Sequence, residues 1–199
     1  MKICVLASTN GTDLQAILDE MAAEEMENIE LCFVLVNKTN CGAVKKAENA
    51  HIPVIFLPER GENGEKIDRE TYGRQIDDAC REFGIDLIVL VGWMRILSPW
   101  FVRKWKKKII NIHPSLLPKY PGMDLDVHQA VLAAGEKESG MTIHYVDEGV
   151  DSGEIILQKT VEIAPGETKE SLKEKVQELE KKWYPAVIRQ LRNKMANEG

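Results

Sequence analysis

Short apolar runs alternate along this chain with longer stretches in which apolar residues return every three or four positions. The first run, residues 3–7, reads as a buried strand. Leu14, Ile17, Leu18 and Met21 then follow at helical spacing, and Thr12 with Gln15 fits a capping box at that helix start. Residues 31–36 read as a second strand, 42–50 as a short helix, and 54–57 as a third strand stopped by Pro58. Ile67, Tyr72, Ile76, Cys80 and Phe83 mark a helix closed by Gly84. Residues 87–91 are apolar on both faces, as a central parallel strand is. Ser98 and Pro99 signal a helix start, and 109–113 form the next strand, ended by Pro114. A loop rich in Pro and Gly leads to a short helix over 127–134. Residues 141–146 and 155–163 read as two further strands, with alternation that suits antiparallel pairing. Thr168 opens a long final helix with a charged face, in which Pro185 is expected to make a kink.

Strands alternating with helices predict an α/β fold: a twisted, mainly parallel sheet with helices on both faces. Ligands bind such sheets beyond the carboxyl ends of the strands. Three loops fall there, at residues 8–12, 92–97 and 113–122, and they place the site before any motif is weighed.

Composition narrows the classes. The chain has 199 residues, enough for one domain spanning 1–199. Its net charge of −6 argues against broad binding to nucleic acid. The basic run Arg103, Lys104, Lys106, Lys107, Lys108 reads as a solvated helix end. Cys4, Cys32, Cys41 and Cys80 form no CxxC pair, and unpaired thiols suit a reducing compartment. The first apolar run is too short for a signal peptide or membrane span, so a cytoplasmic protein with no membrane partner is expected.

The first loop runs from Ser8 through Thr9, Asn10, Gly11 and Thr12 to Asp13 at a helix start. Free N–H groups and the helix dipole there offer an anion site, with a simple tight turn as the alternative. Asp13 counts against an anion: at contact distance its repulsion reaches roughly 4 kcal/mol at an effective dielectric near 20. Asn111 and His113 lie two apart on a strand, so both face one way and Ile110 and Ile112 the other. Two polar residues ending an apolar strand are costly unless paired. Either backbone groups satisfy them, or the Asn amide stabilises an oxyanion while His moves a proton. Ser115 has no GxSxG elbow around it. The acidic turn 147–153 is a solvent-facing loop or, through Asp151, supplies a carboxylate partner for His113. His113, His128, His144 and Asp151 lack zinc-site spacing, so no metal is expected.

The stretch Asn111-Ile112-His113-Pro114-Ser115-Leu116-Leu117-Pro118 resembles the signature of the folate-dependent formyltransferases. Residues 142–153, ending in Asp151-Ser152-Gly153, resemble that family's second signature. The resemblance covers nearly the whole chain and implies a single-domain Rossmann-like formyltransferase fold. It implies Asn111, His113 and Asp151 as the catalytic trio, 10-formyltetrahydrofolate as co-substrate, and no metal. Gly92-Trp93-Met94-Arg95-Ile96-Leu97-Ser98 is similar to the folate-pocket segment of the purine-pathway branch, whose acceptor is the amine of glycinamide ribonucleotide. Met94, Arg95, Ile96 and Leu97, with Val146, Asp147, Glu148, Gly149 and Val150, are thereby implied to bind folate. Asn10, Gly11, Thr12 and Asp13, with Pro114 and Glu180, are implied to bind the acceptor, as a monomer or homodimer. Asp13 stands where that branch usually has Asn, Thr9 replaces a common Gly, and Lys181 follows Glu180 where His is frequent. The loop 122–128 looks about two residues longer than usual. The same fold also accommodates transfer to a nucleotide-sugar amine, formyl-folate hydrolysis, or binding without turnover.

Overall fold

A computed structural model describes residues 1–122 and 126–198. The loop 122–128, expected to be longer than usual, includes Met123, Asp124 and Leu125, which lie outside the described residues. The elements run β1 (Lys2–Ala7), α1 (Thr12–Ala22), β2 (Glu30–Val36), α2 (Gly42–Asn49), β3 (Val54–Phe56), α3 (Arg69–Phe83) and β4 (Leu87–Val91). There follow α4 (Pro99–Lys104), β5 (Ile109–His113), α5 (Val127–Ala133), β6 (Glu138–Tyr145), β7 (Ile155–Glu162) and α6 (Lys169–Glu198).

Seven strands form one sheet in the order β3-β2-β1-β4-β5-β6-β7. The first five are parallel, β6 is antiparallel to β5, and β7 is antiparallel to β6. The order reverses between β1 and β4, so a crevice opens where their following loops part. Side-chain alternation divides the core in two. Ile3, Val5, Val89, Ile110 and Ile112 pack beneath α1, α2, α5 and α6, whereas Cys4, Leu6, Ile88, Leu90 and Ile109 pack beneath α3 and α4. Tyr184 of α6 is fully buried and donates to the carbonyls of Leu90 (2.8 Å) and Ile110 (3.2 Å), tying the last helix to the central strands. Among the described residues, no helix is long and apolar enough to cross a membrane.

Most local signals act as expected. Ser98 Oγ accepts from the Phe101 N–H at 3.2 Å, with Pro99 in the first turn. Gly84 closes α3 in the left-handed region at φ 66°. Thr168 Oγ1 accepts from the Ser171 N–H at 3.1 Å ahead of α6, which continues through Pro185. One expectation fails: the capping box of Thr12 and Gln15 does not form. Gly11 takes the cap position at φ 67°, Thr12 is already helical, and the Gln15 side chain bonds Asp19 at 2.8 Å instead. A second difference is length: β6 begins at Glu138 because the β7 ladder extends pairing back to Glu138 and Glu162.

Candidate active site

A cavity of about 400 Å³ opens at the carboxyl ends of β1, β4 and β5. All three loops chosen from the sequence contribute to its wall. The first two are bound together, because the buried Ser8 Oγ accepts from the Met94 N–H at 3.0 Å. Gly92 must be glycine here: its φ is 53°, and a Cβ would sit 2.2 Å from Thr9 Oγ1. The third loop is latched to the antiparallel strands. The Leu117 N–H donates to Thr142 Oγ1 (3.1 Å), that hydroxyl donates to the Ser115 carbonyl (2.6 Å), and Gln158 Nε2 donates to the Leu117 carbonyl (2.8 Å).

Asn111 and His113 face the cavity from the end of β5, and the β6–β7 turn brings Asp151 against both. Asp151 Oδ2 lies 3.4 Å from His113 Nδ1 and accepts from the Gly122 N–H at 2.8 Å. Its Oδ1 lies 3.5 Å from Asn111 Nδ2 and 3.6 Å from His144 Nε2. Burial opposes charge on this carboxyl, but the His144 contact, the Gly122 N–H and the nearby His113 outweigh it and hold the group below its ordinary range. His113 Nε2 lies 2.7 Å from the Tyr120 carbonyl, so both ring nitrogens face acceptors, and only the doubly protonated ring donates to both. Asp151 and Tyr120 both have left-handed backbones, at φ 51° and 55°. Such conformations cost about 1 kcal/mol or more each and persist where surroundings fix them.

The sequence offers His144 only as a metal-ligand candidate without zinc-site spacing, yet it sits inside this network. Its Nε2 is 3.2 Å from Asn111 Nδ2 and its Nδ1 is 2.9 Å from the Tyr145 carbonyl. The signal was the strand pairing, which sets Asn111 opposite His144. The Tyr120 carbonyl and Gly122 N–H are backbone groups with no sequence signature. His128 and Lys173 also line the cavity; burial lowers the His128 pKa, and its Nδ1 is buried without a partner. Ser115 is buried with its hydroxyl donating to the Lys119 carbonyl at 2.6 Å, which leaves no free nucleophile there.

The remaining predicted residues divide by position. Met94, Arg95, Ile96, Leu97 and residues 146–150 line one side of the cavity. Met94, Ile96 and Val150 are exposed, while Leu97 is buried. Arg95 is held inward, donating to the Ile67 carbonyl at 2.5 Å and lying 3.9 Å over the Tyr72 ring. Asp147 and Glu148 are exposed, and Glu148 pairs with Arg103 at 2.9 Å. Asn10, Thr12, Asp13, Pro114 and Glu180 line the cavity too. Gly11 is not in its wall; it packs against Ala43, and its carbonyl accepts from Lys46 Nζ at 3.1 Å. Among the described residues, no group of three or more His, Cys, Asp or Glu is arranged to hold a metal.

A switch-point cavity with an Asn-His-Asp cluster at the parallel-to-antiparallel junction defines a class: the chain belongs to the formyl transferase family, which it matches over residues 1–188. Within that family it is 40% identical over 191 residues to phosphoribosylglycinamide formyltransferase of Bacillus subtilis (strain 168), covering 96% of this chain and 94% of that protein. It is also 40% identical over 194 residues to the trifunctional purine biosynthetic protein adenosine-3 of Drosophila melanogaster, but spans only 14% of its length. A solved phosphoribosylglycinamide formyltransferase from Coxiella burnetii superposes with a TM-score of 0.86 at 39% identity, over 95% of this chain and 85% of that one.

Proposed function

We propose that this protein transfers a formyl group from 10-formyltetrahydrofolate to the amine of glycinamide ribonucleotide in purine synthesis. The observation that carries the reading is the convergence of Asn111, His113 and Asp151 on one wall of a cavity whose two ends differ in chemistry. One end is apolar, built from Leu90, Leu97, Val102 and Val146 with Met94, Ile96 and Val150 at its mouth. That end fits the folate. The other end, at the amino terminus of α1, carries Asn10, Thr12, Asp13, Glu180 and Lys173 and fits a phosphorylated sugar.

The chemistry needs no covalent enzyme intermediate. The neutral amine attacks the formyl carbon; the new C–N bond forms, and the bond to the folate nitrogen breaks as that nitrogen takes a proton. Asn111 Nδ2 stabilises the tetrahedral oxyanion, joined by the His113 ring when its Nε2 exchanges the Tyr120 carbonyl for the oxyanion. Asp151 orients His113, and it relays the amine's proton through water to the folate nitrogen. His144 holds Asn111 and Asp151 in register. Leu97 and the Arg95 backbone hold the pterin, and Met94 separates folate from acceptor. Asn10 and Thr12 meet the phosphate through the loop backbone and side chains, with Gly11 shaping the turn behind them.

We further place the reaction in the cytoplasm, with small molecules as partners and neither nucleic acid nor membrane, and with the chain acting as a monomer or homodimer. Four free cysteines and a net charge of −6 support that setting. The test is folate release followed by absorbance, with the formyl donor fixed and glycinamide ribonucleotide present or absent. Acceptor-dependent turnover is expected. Formate release without acceptor replaces this reading with hydrolysis, and turnover only with another amine replaces the acceptor.

A further inference from the structure

Asp13 lies in the first turn of α1 and is 8% exposed; its Oδ1 is buried without a hydrogen-bond partner. Glu180 of α6 is 8% exposed, and both side chains line the acceptor end of the cavity. The helix beside them is 11 residues long, and no side chain caps its amino end. On the acceptor reading, a phosphate at this helix end meets two carboxyls in the cavity wall, an arrangement that repels a dianion if both are charged.

We propose that Asp13 and Glu180 act as one electrostatically coupled carboxyl pair, and that docking a phosphomonoester at the amino end of α1 draws a proton onto the pair. The proposal rests on the acceptor reading above and adds proton-coupled recognition to it. Two close carboxyls do not ionise together easily, because the first charge opposes the second. Burial pushes Asp13 up to about 6, although Lys181 and Lys46 pull against it. Burial and the Asp13 charge raise Glu180 well above the carboxylate range, with Lys173 opposing. The groups facing the pair are Lys46 from α2 and Lys173, Lys181 and Tyr184 from α6, with His128 of α5 across the cavity. A bound dianion adds like charge, so the pair's proton affinity rises on binding. Asp13 thereby fits a phosphate loop: as a neutral carboxyl it donates where a charged one repels.

The test is calorimetric titration of glycinamide ribonucleotide, without folate, at about pH 7.5, where a phosphomonoester is mostly dianionic. Buffers of different ionisation enthalpy give the number of protons taken up. Ribose 5-phosphate serves as a second probe without the titrating amine, and Asp13→Asn and Glu180→Gln are run beside the wild type. Uptake of roughly half to one proton in the wild type, abolished in Asp13→Asn and reduced in Glu180→Gln, is expected. Binding of both probes with the same proton count in all three proteins overturns the proposal and leaves the acceptor reading standing. No binding to the wild type, together with no acceptor-dependent turnover, overturns both.

Discussion

Two acidic corners face the same cavity and behave in opposite ways. Asp151 has the Gly122 N–H, two imidazoles and the Asn111 amide around it, and stays charged. Asp13 is set more deeply, has an unpartnered oxygen, and shares its surroundings with Glu180, so it keeps a proton up to about pH 6. Burial opposes charge in both; the supply of donors decides the outcome. Environments that push carboxyl pKa values apart give one cavity a fixed anion at one corner and a protonatable carboxyl at the other.

The largest expected effect lies at the charged corner. Asn111→Ala removes the proposed oxyanion donor and should lower turnover by roughly 100- to 1000-fold, read in the folate-release assay; near-wild-type turnover would separate Asn111 from the chemistry. The next effect separates the corners by sign. Asp13 has a raised pKa, so the folded state holds its proton more tightly than the unfolded one. Stability from that proton is full below about 3.8 and is lost as pH rises through about 6. Asp13→Asn should therefore stabilise the protein at neutral pH by about 2–3 kcal/mol and by only about 0.5 kcal/mol at about pH 4. Denaturant melts at the two pH values check this, and equal effects would remove the proton from the account. Asp151 is the reverse case. Its lowered pKa gives stability that is present above the ordinary carboxylate value and lost as pH falls through the folded one. Asp151→Asn should cost about 1–2 kcal/mol at neutral pH, and its melting curve should converge with that of the wild type in acid. Smallest, Met94→Ala should raise the donor KM severalfold, about 1 kcal/mol, because the side chain is exposed until a ligand covers it.

The sequence showed the sheet and the location of the cavity for one reason: both follow from local pattern. Apolar runs such as Leu87–Val91 mark central strands, and the loops after them must cluster at one end. The same-face placement of Asn111 and His113 followed from strand alternation alone. What escaped depends on pairing between distant segments. His144 enters the site through its register opposite Asn111, and the Tyr120 carbonyl and Gly122 N–H enter as backbone. The meeting of Asp13 with Glu180 needs α6 folded back across α1. The failed capping box shows the limit of a local rule: Thr12 and Gln15 have the right spacing, but a left-handed Gly11 moves the helix start by one residue.

The most direct test of the contrast is a ¹³C NMR titration of the aspartate side-chain carboxyls, with Asp13→Asn and Asp151→Asn used to assign the two signals. The account predicts that the Asp13 signal titrates near 6 and the Asp151 signal below the usual carboxylate range. Both signals titrating together in the ordinary range would contradict it.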